Sequence, residues 1–335
     1  MPDNELYKTP AITMNSIELC AGAGGQALGL ERSGFEHQVL VEIDAHACAT
    51  LRHNRPHWLV HEGDLSAFDA RAYQGIDLVA GGVPCPPFSK AGKQLGADDE
   101  RDLFPQAMRV VEETRPQAVM LENVRGLLDA VFTDYRQKIA RQLQALGYWT
   151  DWHLFNAADF GVCQLRPRVV FVALRRDLAE HFRWPTPSFQ LPPTVGELLG
   201  DLMGAQGWQG LEAWKERAND IAPTLVGGSK KHGGPDLGPT RAKQAWASLG
   251  VDGRGLVDAP PAADFVGMPR LTVRMCARIQ GFPDEWAFVG KKTPAYRQVG
   301  NAFPPPVAHA VSRQIAQAIE AAAQARVSRT SLRAA

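Results

Sequence analysis

The chain has 335 residues, 45% hydrophobic and 21% charged, an ordinary balance for a soluble globular protein. Lys plus Arg and Asp plus Glu are 36 each, so the formal net charge is zero. That excludes a uniformly basic nucleic-acid coat but leaves room for a locally basic face. The five cysteines (Cys20, Cys48, Cys85, Cys163, Cys276) are odd in number and form no CxxC pair, which fits neither a disulfide framework nor a zinc cluster. No metal site is expected. The first 15 residues lack the apolar core of a signal peptide, and no apolar run reaches the ~18 residues of a membrane helix. A cytoplasmic protein is expected.

In chain order, SIELC (16–20), QVLVEID (38–44), IDLVAGG (76–82), AVMLENV (118–124) and RVVFVAL (168–174) read as strands. A further short strand is expected before EGDLS. The runs are almost continuously apolar, as in strands covered on both faces. Residues near 26–33, 45–53, 103–114 and 132–146 read as helices between them. Such alternation predicts an α/β fold with a parallel, doubly wound sheet, whose ligands bind beyond the carboxyl ends of the strands.

From 185 to 268 Pro, Gly and Trp become frequent, with helices predicted only near 194–202, 209–218 and 240–249. A small, loop-rich second domain is expected there. Helical order returns at RLTVRMCARIQGFP (270–283) and at 304–323, where Val307, Val311, Ile315 and Ile319 share one face. The predicted division is therefore 14–184, 185–268, a returning segment 269–324, and a basic disordered tail 325–335.

The first strand runs into CAGAGGQALGL, where Gly22, Gly24 and Ala27 fit the G-x-G-x-x-G/A spacing between strand and helix. Glycine there lets a nucleotide approach the backbone and a helix N-terminus. Glu42 follows 20 residues after Gly22, where a carboxylate can accept both ribose hydroxyls. Asp64 is placed to accept an adenine amino group. The loop alone admits either a nicotinamide dinucleotide or S-adenosylmethionine.

Cys85 lies between prolines just past the fourth strand. A thiol needs help to ionise, and Lys90, Lys93 and Arg101 follow in the same loop. Glu122 ends the fifth strand, where partial burial would let it hold a proton near neutrality. In QLRPR, Arg166 and Arg168 are alternate residues expected on one face, one to pair with a carboxylate and one to reach substrate.

Together, ELCAGAGGQALGLERSGF, VEIDAHA, GDLS, DLVAGGVPCPPFS, LENVRG, QLRPRVVFVA, RLTVRMCARIQGFP and YRQVGNAFPPPVA resemble the ordered blocks of the DNA (cytosine-5) methyltransferase family, of the bacterial restriction-modification type. The resemblance covers nearly the whole chain. It implies a mostly parallel, Rossmann-like methyltransferase fold using S-adenosyl-L-methionine, with a target recognition domain in 185–268. It also implies double-stranded DNA as substrate, a possible companion restriction endonuclease, and chemistry for which a monomer suffices.

The same resemblance assigns roles. Cys85 would attack carbon 6 of a cytosine flipped from the duplex, making carbon 5 nucleophilic. Glu122 would contact the ring nitrogen and amino group, Arg168 the base carbonyl, and Arg166 would anchor the site. Cofactor contacts would come from Cys20, Gly22, Gly24, Gly25, Glu42, Ile43, Asp64, Leu65 and Asn301. Cys20 and Ile43 occupy positions where the family usually has aromatic residues. Met275 replaces a usual glutamate. DNA would be met by Ser89, Lys93 and Gln94 in the loop after Cys85, and by Lys230, Lys231 and Arg241 in the basic, glycine-rich stretch 226–243.

Other readings remain open at this level. An RNA cytosine methyltransferase would share the catalytic blocks. A nicotinamide oxidoreductase would leave Cys85, Glu122 and QLRPR unexplained. An inactive DNA-binding regulator would not need Cys85 or Glu122.

Overall fold

Alternation of side chains along the strands sets the architecture. In the computed structural model, which describes residues 13–84, 102–187, 191–228 and 234–334, seven strands form one sheet. They are β1 (Met14–Leu19), β2 (Phe35–Glu42), β3 (Val60–Glu62), β4 (Leu78–Gly81), β5 (Ala118–Val124), β6 (Tyr148–Asn156) and β8 (Pro167–Arg175). The spatial order is β3-β2-β1-β4-β5-β8-β6. Ile17, Leu19, Val79, Val119, Leu121 and Phe171 face one layer. Met14, Leu78, Ala80, Met120, Val170 and Val172 face the other. The first layer is closed by α3 (Phe104–Thr114) and α4 (Thr133–Ala145), through Phe104, Val110, Val111, Ile139 and Leu143. The second is closed by α1 (Gly25–Arg32) and α11 (Pro305–Ala334), through Leu30, Val307, Val311 and Ile315.

β1 to β5 pair in parallel among themselves, but β8 runs antiparallel to both β5 and β6. The sheet is thus mostly parallel, as expected for the fold, with its antiparallel strand at this edge. β6 was not expected as a strand. It is a half-exposed edge element, and YWTDWHLFN lacks the continuous apolar run of the buried strands. The strand order reverses at β1 and β4, and a crevice opens beyond their carboxyl ends.

The 185–268 stretch carries α6 (Val195–Met203), α7 (Leu211–Arg217), β9 (Ala222–Pro223) and α8 (Thr240–Ser248). Thr194 and Glu197 form a reciprocal capping box at the start of α6. Trp208, Trp214 and Trp246 centre its core. That core continues past 268 into α9 (Val273–Ile279) and α10 (Lys292–Asn301), and through Phe282 and Trp286 to Leu28, Leu51 and Trp58 near the first helices. A two-residue parallel pairing of β7 (Gln164–Leu165) with β9 also joins the stretch to the catalytic side. α11 runs on to Ala334, past residue 324 where the sequence reading ends the returning segment, and Arg326 pairs with Asp177. Among the described residues, no helix is long and apolar enough to cross a membrane.

Candidate active site

The glycine loop follows from backbone geometry. Gly22 and Gly24 hold positive φ values of 54° and 85°, a region glycine enters without steric penalty, and Gly24 precedes the first residue of α1. Cys20 also has positive φ (52°), an uncommon conformation for a residue with a side chain. Burial, then the nearby Glu42, pushes the Cys20 thiol up to about 12, so it stays a neutral thiol.

Glu42 ends β2 beneath this loop. Its Oε2 accepts the Gly22 amide at 2.7 Å, and its Oε1 accepts the amides of Ile43 and Asp44 at 2.9 and 2.8 Å. Three donors fix the carboxylate in place. Asp44 then caps α2 (Ala45–Asn54), accepting from His46 and Ala47. Asp64 takes the Ser66 amide at 2.8 Å, and that bond holds its carboxyl below the usual range.

These residues line one cavity of about 670 Å³. Its walls include the predicted Cys20, Gly22, Gly25, Glu42, Ile43, Asp64, Leu65 and Asn301, together with Glu122. Gly24 is not in the wall. Its backbone packs toward Leu51 and Trp286. Ile43 is 65% exposed at the rim. Asn301 reaches the cavity from the end of α10 and donates to Gly228 O at 3.2 Å.

Sequence reasoning missed Glu18, Gln26, Arg297 and Gln298 in the same wall. Glu18 had a signal, an acid inside the apolar run SIELC. It is buried, and among the described residues neither carboxyl oxygen has a partner within hydrogen-bond distance, although the Ala27 backbone lies close enough to oppose the rise of its pKa. Burial pushes its carboxyl well above the usual range. The orphaned carboxyl, the amide-held Glu42 and the exposed glycine backbone suit a ribose-bearing cationic cofactor.

Two of the residues expected to do the chemistry, Glu122 and Arg168, meet at one wall of this cavity. Glu122 is buried on β5, with Arg168 Nε 2.7 Å from its Oε1. Burial raises its carboxyl above the usual range, while Arg168 and then Arg166 pull it back. Arg166 does not share that contact. It is fully buried and donates to the carbonyls of Leu225 and Gly300 at 2.8 Å and of Ala302 at 3.0 Å. It therefore ties β7 to the β9 side and to the end of α10, a positioning role.

Asn123 fastens the end of β5 by donating to Val83 O at 2.8 Å. The Leu103 amide donates to Pro84 O at 3.1 Å, and both Pro84 and Leu103 line the cavity. The segment between them thus leaves and returns at the cavity wall. Cys85, Ser89, Lys93 and Gln94 lie in that segment, outside the described residues, as do Lys230 and Lys231. Arg241 is exposed in the first turn of α8.

The family model of C-5 cytosine-specific DNA methylases matches residues 14–317. The chain belongs to that family. The methylase is 59% identical over 308 residues to the type II methyltransferase M.NgoMIV of Neisseria gonorrhoeae, covering 91% of this chain and 98% of the relative. It is 56% identical over 313 residues to M.NaeI of Lentzea aerocolonigenes, covering 92% and 76%. In fold it resembles Spodoptera frugiperda DNMT2, with a TM-score of 0.64 and 16% identity over 90% of this chain and 99% of that one. The methylase is accordingly an enzyme that uses S-adenosylmethionine, and the cavity under the glycine loop fits that cofactor.

Met275, standing where the family usually has glutamate, is buried in the first turn of α9. Its amide donates to Thr272 Oγ1 at 3.2 Å, and its thioether sulfur lies 3.4 Å from the Thr272 amide. The sulfur closes the capping box as a weak acceptor, so the helix start survives the replacement.

Proposed function

We propose that the methylase modifies one cytosine within a short, defined sequence of duplex DNA, as the protective partner of a type II restriction endonuclease. The observation that carries this reading is the buried Glu122–Arg168 pair, set beside the cofactor cavity and next to both anchors of the Cys85 segment. The partner endonuclease is inferred from the names of the relatives.

The target base must leave the stack before this site can reach it, which costs a few kcal/mol. The Cys85 thiolate adds to carbon 6, forming a carbon–sulfur bond. Glu122 holds the proton that the ring nitrogen takes up as electrons move into the ring, and Arg168 steadies Glu122 and the base carbonyl. Carbon 5 then has enamine character and becomes a nucleophile, which it is not in free cytosine. The bound cofactor supplies the methyl group to carbon 5. Loss of the carbon 5 proton to a base expels the Cys85 thiolate, the ring-nitrogen proton returns to Glu122, and the aromatic ring is restored. Gly22, Glu42, Asp64 and Asn301 hold the cofactor, and Ser89, Lys93, Gln94, Lys230, Lys231 and Arg241 meet the DNA.

The test is base-resolution methylcytosine sequencing of DNA from cells expressing the wild type or Cys85→Ala. Modification at one short motif, absent in the variant, is expected. Covalent trapping of the wild type on a duplex with 5-fluorocytosine at that motif should accompany it. A folded wild type that methylates transfer RNA but no DNA would overturn the reading.

A further inference from the structure

Two arginines in the 185–268 region and its exit converge on one carboxylate. Asp252, itself only 8% exposed, accepts the Arg254 amide at 3.0 Å and Arg254 Nε at 2.9 Å through Oδ1. Its Oδ2 accepts Arg254 Nη2 at 3.0 Å and Arg270 Nε at 2.9 Å. The Asp252 amide donates to Pro269 O at 2.9 Å, so the two loops are also joined through backbone. Hydrogen bonds from Arg254 hold the Asp252 carboxyl far below the usual range, so it remains ionised.

The charge does not cancel, because two guanidinium groups share one carboxylate. The Arg254 side chain is 76% exposed and that of Arg270 is 40% exposed. Ion pairs that exposed add little to folding. What the arrangement does achieve is orientation. An arginine gripped along one edge of its planar fork presents the other edge in a fixed direction, with less rotamer entropy left to lose on binding.

The pair sits beside the DNA-facing part of the chain. The Leu237 amide donates to Gly253 O at 3.0 Å, which places the pair against the described remainder of the basic stretch. Gly238 packs near Val226, and Gly227 packs against Asn301 at the cofactor cavity. A chain of packing contacts through Leu237, Gly238, Val226 and Gly227 therefore links the Arg254 loop to Asn301.

We propose that Arg254 and Arg270, oriented by Asp252, form a fixed guanidinium pair that grips the phosphodiester backbone of duplex DNA beside the recognition segment. A tetrahedral phosphate offers paired oxygens that match the fork. The proposal rests on duplex DNA being the substrate. A backbone grip fixes register and orientation and carries no sequence information of its own.

The experiment measures binding of wild type, Arg254→Ala and Asp252→Asn to cognate and scrambled duplexes by fluorescence anisotropy across a potassium chloride series. Circular dichroism melts confirm folding, and S-adenosylhomocysteine affinity serves as the internal control. Arg254→Ala should bind both duplexes about 5- to 20-fold more weakly, with the salt slope reduced by about one and cofactor affinity unchanged. Asp252→Asn should bind more weakly while keeping most of the slope. Unchanged affinity and slope in folded Arg254→Ala would overturn the proposal. So would a loss confined to the cognate duplex with altered methylation sites, which would mean base reading. A wild type that binds neither duplex would remove the DNA reading beneath it, a failure distinct from either of these.

Discussion

Arg168 lies opposite Val124 on the antiparallel strands β5 and β8 and reaches diagonally to Glu122, its Nε 2.7 Å from the carboxylate. The direction of β8 makes this possible, because it brings the start of that strand to the carboxyl end of β5, where the parallel strands leave their crevice. Burial raises the Glu122 carboxyl and Arg168 lowers it, so the pair sets the pH at which Glu122 keeps its proton. If Glu122 delivers that proton to the base, kcat falls as pH rises through its pKa. Arg168→Ala removes the opposing charge and should move this alkaline limb to higher pH while lowering kcat/KM. Arg168→Lys should restore much of the limb's position. Single-turnover rates from pH 6 to 10 would show it, and a limb that stays put in Arg168→Ala would contradict the assignment.

Arg166 should fail differently. Its guanidinium satisfies the buried carbonyls of Leu225 and Gly300, and also reaches the half-buried carbonyl of Ala302, which Gln280 shares. Leaving a buried acceptor unpaired costs about 1–3 kcal/mol. Arg166→Ala should therefore lose about 3 kcal/mol or more of unfolding free energy in urea titrations, with cofactor affinity falling alongside because Asn301 and Ala302 shift. A variant as stable as the wild type but lacking activity would make Arg166 a catalytic group instead.

The sequence made some of this plain, and the reasons are local. β5 was legible to the residue because a strand buried on both faces leaves an unbroken apolar run. The glycine loop and Glu42 were legible because close backbone approach admits few residue types. The direction of β8 was not legible, since period-two alternation carries no polarity. The different partners of Arg166 and Arg168 followed from that, because one sits before the strand and the other within it. α10 was missed because KTPAYRQVGN contains Pro294 and Gly300, which weaken a helix in isolation. Here the helix is held by packing of Ala295, Tyr296 and Val299. Asp252 with its two arginines could not be read, because its partners come from two separated loops.

Ile43 offers a gain-of-function test. It stands exposed at the cavity rim, and it touches Glu42 only through its amide, one of three that hold the carboxylate, so the side chain is free to change. An aromatic ring there can stack on a planar base, a gain of about 0.5–1.5 kcal/mol beyond area burial. Ile43→Trp should tighten S-adenosylhomocysteine binding by about 3- to 10-fold in isothermal titration calorimetry. Unchanged or weaker binding would place the adenine elsewhere in the cavity.

Glu18 gives the last prediction its sign. Its folded-state pKa is raised, mainly by burial, so the folded protein binds a proton there more tightly than the unfolded chain does. Stability is then unpenalised below the unfolded pKa of about 4.3 and falls as pH climbs through the folded pKa. Glu18→Gln keeps the shape without the charge and should be more stable than the wild type at pH 8, the advantage vanishing near pH 4. The same carboxyl lines the cavity proposed to hold the cationic cofactor, whose positive charge would favour the ionised form. Cofactor binding at pH 6 to 7 should therefore release protons from the wild type. Calorimetry in two buffers of different ionisation enthalpy reads that release directly, and in Glu18→Gln it should disappear while the affinity drops. Equal proton release in both proteins would mean that Glu18 stays neutral beneath the bound cofactor.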